Sequence, residues 1–256
     1  MQNPKSIMIT GGSSGIGAAL ARRYAGEGRF LAITGRDRER LEQVAEDCRA
    51  AGAEVVSKVV DVCDRALLDS WMAEIDRERP LDLVIANAGV SAGTGLFGET
   101  AEQTRHILSI NVDGVVSTVL TAIALMRARG RGQVAIMSSL AAFRGFPGAP
   151  AYCASKAAVR VWGEALRGMV APQGLTVSVI CPGYVKSAMT AVNDFPMPLL
   201  MEAEKAAAII ERGLAAGKAR IVFPRRLFAV VWLLSLLPPA WTDPLLSRLP
   251  EKPASN

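Results

Sequence analysis

Seven short runs rich in aliphatic and β-branched residues recur along the chain: SIMIT, FLAITG, AEVVSKVV, LDLVIANAG, GQVAIMSS, LTVSVICPG and RIVFP. Amphipathic stretches of helical period separate most of them. This alternation restricts the fold more than any other feature. Strands that are almost continuously apolar need cover on both faces, and parallel neighbours need a crossover helix between them. The expected class is therefore α/β, a doubly wound parallel sheet of about seven strands with helices on both faces. IGAALARRYAGEG follows the first strand, and DRERLEQVAEDCRAAG follows the second and stops at Gly52, as a helix ending on glycine should. Residues 101–129 and 151–171 read as two longer helices.

No repeat, low-complexity block or linker divides residues 1–224, so one domain is expected there, followed by an apolar helical extension and tail over 225–256. Residues 186–200, KSAMTAVNDFPMPLL, break the rhythm with two prolines. Lying beyond a late strand, they suit a lid over a pocket, or an ordinary surface loop.

Half of the 256 residues are hydrophobic and 21% are charged, enough to bury a substantial core. The net charge of +5 comes from 29 basic and 24 acidic residues that are interspersed, without aromatic–basic interleaving, which argues against a nucleic-acid partner. Cys48, Cys63, Cys153 and Cys181 are widely spaced and share the chain with a single histidine, His106, which points to reduced thiols and away from zinc or another metal. His106 itself reads as a surface or structural residue. With no secretory signal ahead of SIMIT, a cytoplasmic location is expected. The longest uncharged apolar run, LFAVVWLLSLLPPAW at 227–241, is shorter than the roughly 20 residues that cross a bilayer, and Pro238-Pro239 interrupts it.

Two motifs carry chemistry. TGGSSGIG runs from the first strand into the first helix, where glycines let the backbone approach a pyrophosphate and the helix N-terminus offers free N–H groups. AYCASKAAV sets Tyr152 and Lys156 one helical turn apart, on one face if the run is helical. A cation beside a phenol favours the phenolate, although solvated helix faces carry such pairs too.

The glycine spacing, G-x-x-x-G-x-G over Gly11, Gly15 and Gly17, resembles that of the short-chain dehydrogenase/reductase family, and further matches cover nearly the whole chain. The resemblance implies a Rossmann-type fold, with Gly11, Ser13, Ser14, Gly15, Ile16 and Gly17 around the cofactor pyrophosphate. Asp61 and Val62 of VVDVCD would hold the adenine. Asn87, Ala88 and Gly89 of ANAG would flank the adenosine and steady the central strand. Pro182, Gly183, Val185 and Ser187 of CPGYVKSAM would cradle the nicotinamide. At the end of the second strand, Gly35 stands where NAD-preferring relatives carry an acid, and Arg36 follows. A guanidinium there can clamp a 2'-phosphate, so NADP(H) is expected in preference to NAD(H). Ser14 stands where many relatives of the NADP type have a second basic residue.

By the same resemblance Ser139, Tyr152 and Lys156, with Asn111 of SINVDG, form the reactive centre. Hydride transfer to a carbonyl carbon leaves charge on the oxygen that donors and a proton must meet. Tyr152 would supply that proton and Ser139 would hold the oxygen. Lys156, together with the positive oxidised nicotinamide, would depress the phenol pKa and hold the ribose hydroxyls, and Asn111 would position a relay water. Leu140, Phe143, Phe146, Tyr184, Met189, Phe195 and Met197 would make an apolar pocket, suited to a ketone, an aldehyde or the matching secondary alcohol. Arg144 and Lys186 read as solvated loop residues or as partners for an acidic substituent.

The extension reads in three ways: packing on a second subunit, shielding the pocket mouth, or peripheral contact with a membrane surface through 227–241. A homodimer or homotetramer through the two long helices is expected. The alternatives are a reductase of 3-oxoacyl groups on a carrier protein or coenzyme A, greeted by Arg127, Arg129 and Arg131, a long-chain keto-lipid reductase, and a non-catalytic NADP sensor.

Overall fold

The computed structural model describes residues 3–92, 98–193 and 195–248. Each of the seven apolar runs forms a strand: β1 (Ser6–Thr10), β2 (Phe30–Gly35), β3 (Glu54–Val59), β4 (Leu83–Ala86), β5 (Gly132–Met137), β6 (Leu175–Pro182) and β7 (Arg220–Phe223). They make one parallel sheet in the order β3-β2-β1-β4-β5-β6-β7. This is a Rossmann-type sheet, doubly wound about the gap between β1 and β4.

Successive side chains of a strand point to opposite faces, and the two layers of the core follow that period. Ile7, Ile9, Leu31, Ile33, Leu83 and Ile85 face α1 (Gly15–Tyr24), α2 (Arg38–Ala50) and α8 (Ala203–Ala215), meeting Leu20, Val44 and Ile210. Met8, Ala32, Val84, Ala86, Val134 and Ile136 face α3 (Arg65–Glu78), α5 (Val115–Arg127) and α6 (Pro150–Val170), meeting Leu68, Val119 and Leu166. Caps fix where helices begin: the Asp37 carboxylate accepts from the Arg40 amide at 3.0 Å and that of Asp64 from the Leu67 amide at 3.1 Å. Gly52, with φ +92°, lies just beyond the end of α2.

The long helix expected over 101–129 is α4 (Ala101–Leu108) and α5 joined without a break by a π-helical segment, Ser109–Gly114, that contains Asn111. Ala101–Arg127 is long and apolar enough to cross a bilayer, with an 18-residue window of mean hydropathy 1.7, but half of that window is buried inside the molecule. It is a core helix, with Thr118 and Val119 fully buried. The extension forms two helices rather than one, α9 (Arg225–Leu236) and α10 (Pro239–Leu246), separated at Leu237-Pro238. The tail beyond Arg248 lies outside the described residues.

Candidate active site

In an open α/β sheet ligands bind beyond the carboxyl ends of the strands, where the winding reverses. Here that crevice lies between the loop after β1 and the turn after β4. Asn87 ties the two together: its Nδ2 donates to the carbonyls of Thr10 and Gly11, each at 3.0 Å. Thr10 answers from the other side, its Oγ1 accepting from the amides of Asn87 (3.1 Å) and Ala88 (3.2 Å). Gly17 sits so close to the loop that a Cβ there would lie 2.2 Å from the Gly11 carbonyl oxygen. Ser14, the residue before α1, makes no side-chain cap, so the first-turn amides of that helix stay available to an anion. Gly15 has φ +53°, and a Cβ on it would meet the Cβ of Ser187 at 2.9 Å, which brings two distant cofactor-motif segments into contact. Ile16 packs on the core beneath the loop.

At the end of β2, a Cβ on Gly35 would fall 2.7 Å from the Ser13 hydroxyl, so no acid fits there with Ser13 in place. Arg36 is exposed and makes no hydrogen bond or ion pair among the described residues. The acid that follows, Asp37, is held by Arg40 at 2.7 Å. Asp61 is exposed and accepts from the Cys63 amide at 2.9 Å, while Val62 is buried against Gly114. Pro182 ends β6, Gly183 donates its amide to the Phe223 carbonyl at 2.7 Å, and Val185 bridges to Met201.

Ser139 follows β5 and opens a short 3-10 turn, Leu140–Ala142, its Oγ accepting from the Ala141 amide at 3.1 Å and donating to the Pro182 carbonyl at 3.4 Å. Tyr152 lies in the first turn of α6, where Pro150 at the start suits a helix N-terminus. Lys156 is buried one turn on. Its Nζ lies 5.7 Å from the centre of the Tyr152 ring and donates to the Met137 carbonyl at 3.0 Å. Gly89 makes room for it, since a Cβ there would be 3.1 Å from both Lys156 Nζ and Asn111 Oδ1. Asn111 spends both its donors and one acceptor site within the protein: Oδ1 accepts from the Val90 amide at 2.8 Å, and Nδ2 donates to the Val90 carbonyl at 2.9 Å and to Ser155 Oγ at 3.0 Å.

In the protein without cofactor, burial governs the protonation of both groups. Burial pushes Tyr152 up to about 12, with a side-chain hydrogen bond from Ser139 pulling the other way. Burial also pulls Lys156 down to about 8. Desolvation penalises the charged form of each and is the largest cause of both shifts.

The supporting polar groups lie within the quoted runs, but nothing in those runs marked them for a role. Thr10, Ser155 and Ser138, whose Oγ donates to the Lys156 carbonyl at 2.8 Å, are all nearly inaccessible to solvent. Only their place beside motif residues could have singled them out.

Several substrate-side expectations need correction. Leu140 is buried with Val179 and Cys181, and Phe143 packs edge-on against Phe228 of α9, ring centres 5.1 Å apart. Both support the extension rather than standing free in a pocket. Arg144 is neither solvated nor open to a ligand: it donates to Thr242 Oγ1 and to Asp243, each at 2.8 Å, and clamps α10. Lys186 is ion-paired with Glu202. Of the basic run, Arg129 makes a two-pronged pair with Asp76 at 2.6 and 2.8 Å, and Arg127 donates to Gln173 at 2.8 Å, so neither is a free docking charge. Tyr184 and Phe195 do meet, ring centres 6.3 Å apart, and Met189, Met197 and Phe146 are partly buried. The 186–200 segment contains one short helix, α7 (Ala188–Ala191), and its Asp194 lies outside the described residues. His106 is exposed, in the last turn of α4.

Comparison with known proteins places this geometry in a family. A family model described as short chain dehydrogenase matches residues 5–195. An uncharacterized oxidoreductase of Myxococcus xanthus is 36% identical over 246 residues, 96% of this chain and 97% of that protein. Two solved structures share the fold. A short chain dehydrogenase/reductase from Burkholderia phymatum in complex with NAD superposes with TM-score 0.83 at 24% identity, covering 100% of this chain and 99% of that one. A short-chain dehydrogenase from Sphingobium yanoikuyae in complex with NADPH superposes with TM-score 0.80 at 23% identity, covering 98% of each. The chain belongs to the short-chain dehydrogenase/reductase family, oxidoreductases that interconvert CH–OH and C=O groups with a nicotinamide cofactor.

Proposed function

We propose that residues 1–224 form one oxidoreductase domain that uses NADP(H) in preference to NAD(H) on the carbonyl or secondary alcohol of an apolar small molecule. The observation that carries this reading is the convergence of Ser139, Tyr152 and Lys156 at the carboxyl ends of the strands, beside the glycine-rich loop. The residues present fit a dinucleotide: uncapped amides at the start of α1, backbone close enough for pyrophosphate, and an exposed, unpaired Arg36 beside a Gly35 that admits no acid. When bound, the cofactor supplies or accepts the hydride.

The chain does the rest. Tyr152 gives its proton to the carbonyl oxygen in reduction and takes it back in oxidation. A phenol held at about 12 keeps its proton near neutral pH and so offers almost no phenolate to act as base, and oxidation needs added positive charge near Lys156. The Ser139 hydroxyl holds the reacting oxygen. Lys156 has one protein acceptor among the described residues, the Met137 carbonyl, which leaves ammonium hydrogens for ribose hydroxyls. Asn111 holds the turn at Val90 in register with α6 through Ser155 and, in this reading, the relay water beside it. Tyr184, Met189 and Phe195 form the apolar side of the substrate site.

Leu120, Val161 and Met169 are exposed on the outer faces of α5 and α6 at 46%, 56% and 58%, which favours a homodimer or homotetramer through those helices. The protein is read as cytoplasmic.

Titrating NADPH and NADH into wild type and Arg36→Ala tests the cofactor reading. NADPH is expected to bind at least about tenfold tighter, roughly 1.4 kcal/mol, and the substitution to erase that margin. Equal or tighter NADH binding would overturn it. Tyr152→Phe is expected to keep cofactor binding and lose at least about a hundredfold in carbonyl reduction. Full turnover by Tyr152→Phe would remove the tyrosine from the chemistry.

A further inference from the structure

The extension departs from the usual pattern of a surface helix, apolar inside and charged outside. On the inner side of α9, Leu227 and Phe228 pack with Leu140, Phe143 and Val222, and Val231 is buried. Its outer side is apolar as well: Val230, Trp232, Leu233 and Leu236 are 55%, 45%, 57% and 61% exposed, and α10 adds Trp241 at 73% and Leu245 at 58%. No charged side chain occurs from 227 to 242. The charges stand at the two ends, and they are positive. Arg225, Arg226 and Arg248 are exposed and in no salt bridge among the described residues. Asp243, the only acid from 225 to 248, is already paired with Arg144 at 2.8 Å.

We propose that α9 and α10 lie flat in the surface of an anionic phospholipid bilayer, with these apolar side chains at the acyl boundary and Arg225, Arg226 and Arg248 among the headgroups. The twelve residues of α9 rise only about 18 Å, against a hydrocarbon core of about 30 Å. The break at Pro238 separates the two helices, so the pair lies on a membrane and does not cross it. Trp232 and Trp241 have the apolar body and polar N–H that favour the interfacial layer. Charge decides between a bilayer and a second copy of the chain as the cover. Two copies paired face to face through their extensions would bring these arginines together with no free acid of the described extension beside them, since Asp243 is paired with Arg144, whereas anionic headgroups supply the countercharge. Through Phe143 and Arg144 the patch is braced to the segment that follows Ser139.

Co-sedimentation of the full chain with vesicles of phosphatidylcholine, with and without phosphatidylglycerol, tests this. Wild type is expected to pellet with the anionic vesicles and show a blue shift in tryptophan emission. Arg225→Gln with Arg226→Gln should weaken that binding by about twenty-five-fold, from about fivefold per charge. Leu233→Asp should abolish it, and Leu236→Ser, which folds more safely, should weaken it, with NADPH binding unchanged in all variants. Absence of binding to either vesicle overturns the proposal, as does equal binding to both. So does a dimer in analytical ultracentrifugation that Leu233→Asp dissociates while vesicle binding is absent, which would assign the patch to a second copy.

Discussion

The two sides of the crevice are held by different means. On the side of the glycine-rich loop, backbone meets backbone or a small hydroxyl so closely that one added carbon would stand 2.2 Å from its neighbour at Gly17 and 2.7 Å at Gly35. On the other side, chain segments meet through side chains: Tyr184 with Phe195, Phe143 with Phe228, Arg144 with Asp243. The first arrangement tolerates almost no change of residue type and suits a ligand part that never varies, the pyrophosphate. The second survives many substitutions that keep volume and polarity, and so leaves substrate choice open.

That contrast breaks first at Gly17. Gly17→Ala drives a methyl into the Gly11 carbonyl and forces apart the loop that Asn87 holds. Expected are a loss of at least about a hundredfold in NADPH affinity by calorimetry, roughly 2.7 kcal/mol, and a clear fall in Tm. Affinity within a few-fold of wild type would mean that the loop does not approach the cofactor. The next effect has the opposite sign. Lys156 is charged at the cost of desolvation, its pKa brought from 10.5 to about 8. Between those values the unfolded chain holds a proton that the folded chain has released, so wild-type stability rises with pH across that window. Below about 8 the penalty is fully present. Lys156→Met should therefore stabilise the cofactor-free protein at pH 7, by at most about 3 kcal/mol, and the gain should shrink by pH 10. Urea unfolding at the two pH values measures it. An unchanged gain at pH 10 would show that packing, not the buried charge, is responsible.

The same contrast explains what could be read in the sequence. All seven strands were legible because parallel strands buried on both faces leave uninterrupted apolar runs, and the loop was legible because only glycine fits its close approaches. Ser139, Tyr152, Lys156 and Asn111 were singled out through family spacing, and spacing alone said nothing of the buried environment that raises the Tyr152 pKa and lowers that of Lys156. Thr10, Ser138 and Ser155 were not, because a small hydroxyl has no periodicity, and its partners lie up to 78 residues away. Phe143 and Arg144 were misplaced for a related reason. Their partners Phe228, Thr242 and Asp243 come from the extension, about a hundred residues later in a fold where the expected contact was a ligand.

The smallest expected effect sharpens the comparison at its side-chain end. The Arg144–Asp243 pair is unequal: Arg144 is 16% exposed and Asp243 65%, so water screens the acid while the guanidinium stays largely enclosed. Removing the carboxylate leaves Arg144 with Thr242 as its partner, and Asp243→Asn should cost at most about 1 kcal/mol. Arg144→Ala takes away both contacts that join α10 to the segment after Ser139 and should cost more. Urea unfolding of the two single variants and the double variant gives the coupling between them. If the clamp shapes the substrate side alone, KM for an apolar ketone will rise in Arg144→Ala while NADPH affinity stays at the wild-type value. A parallel loss of NADPH affinity would mean that the extension braces the cofactor side as well, and that the two sides of the crevice are one mechanical unit.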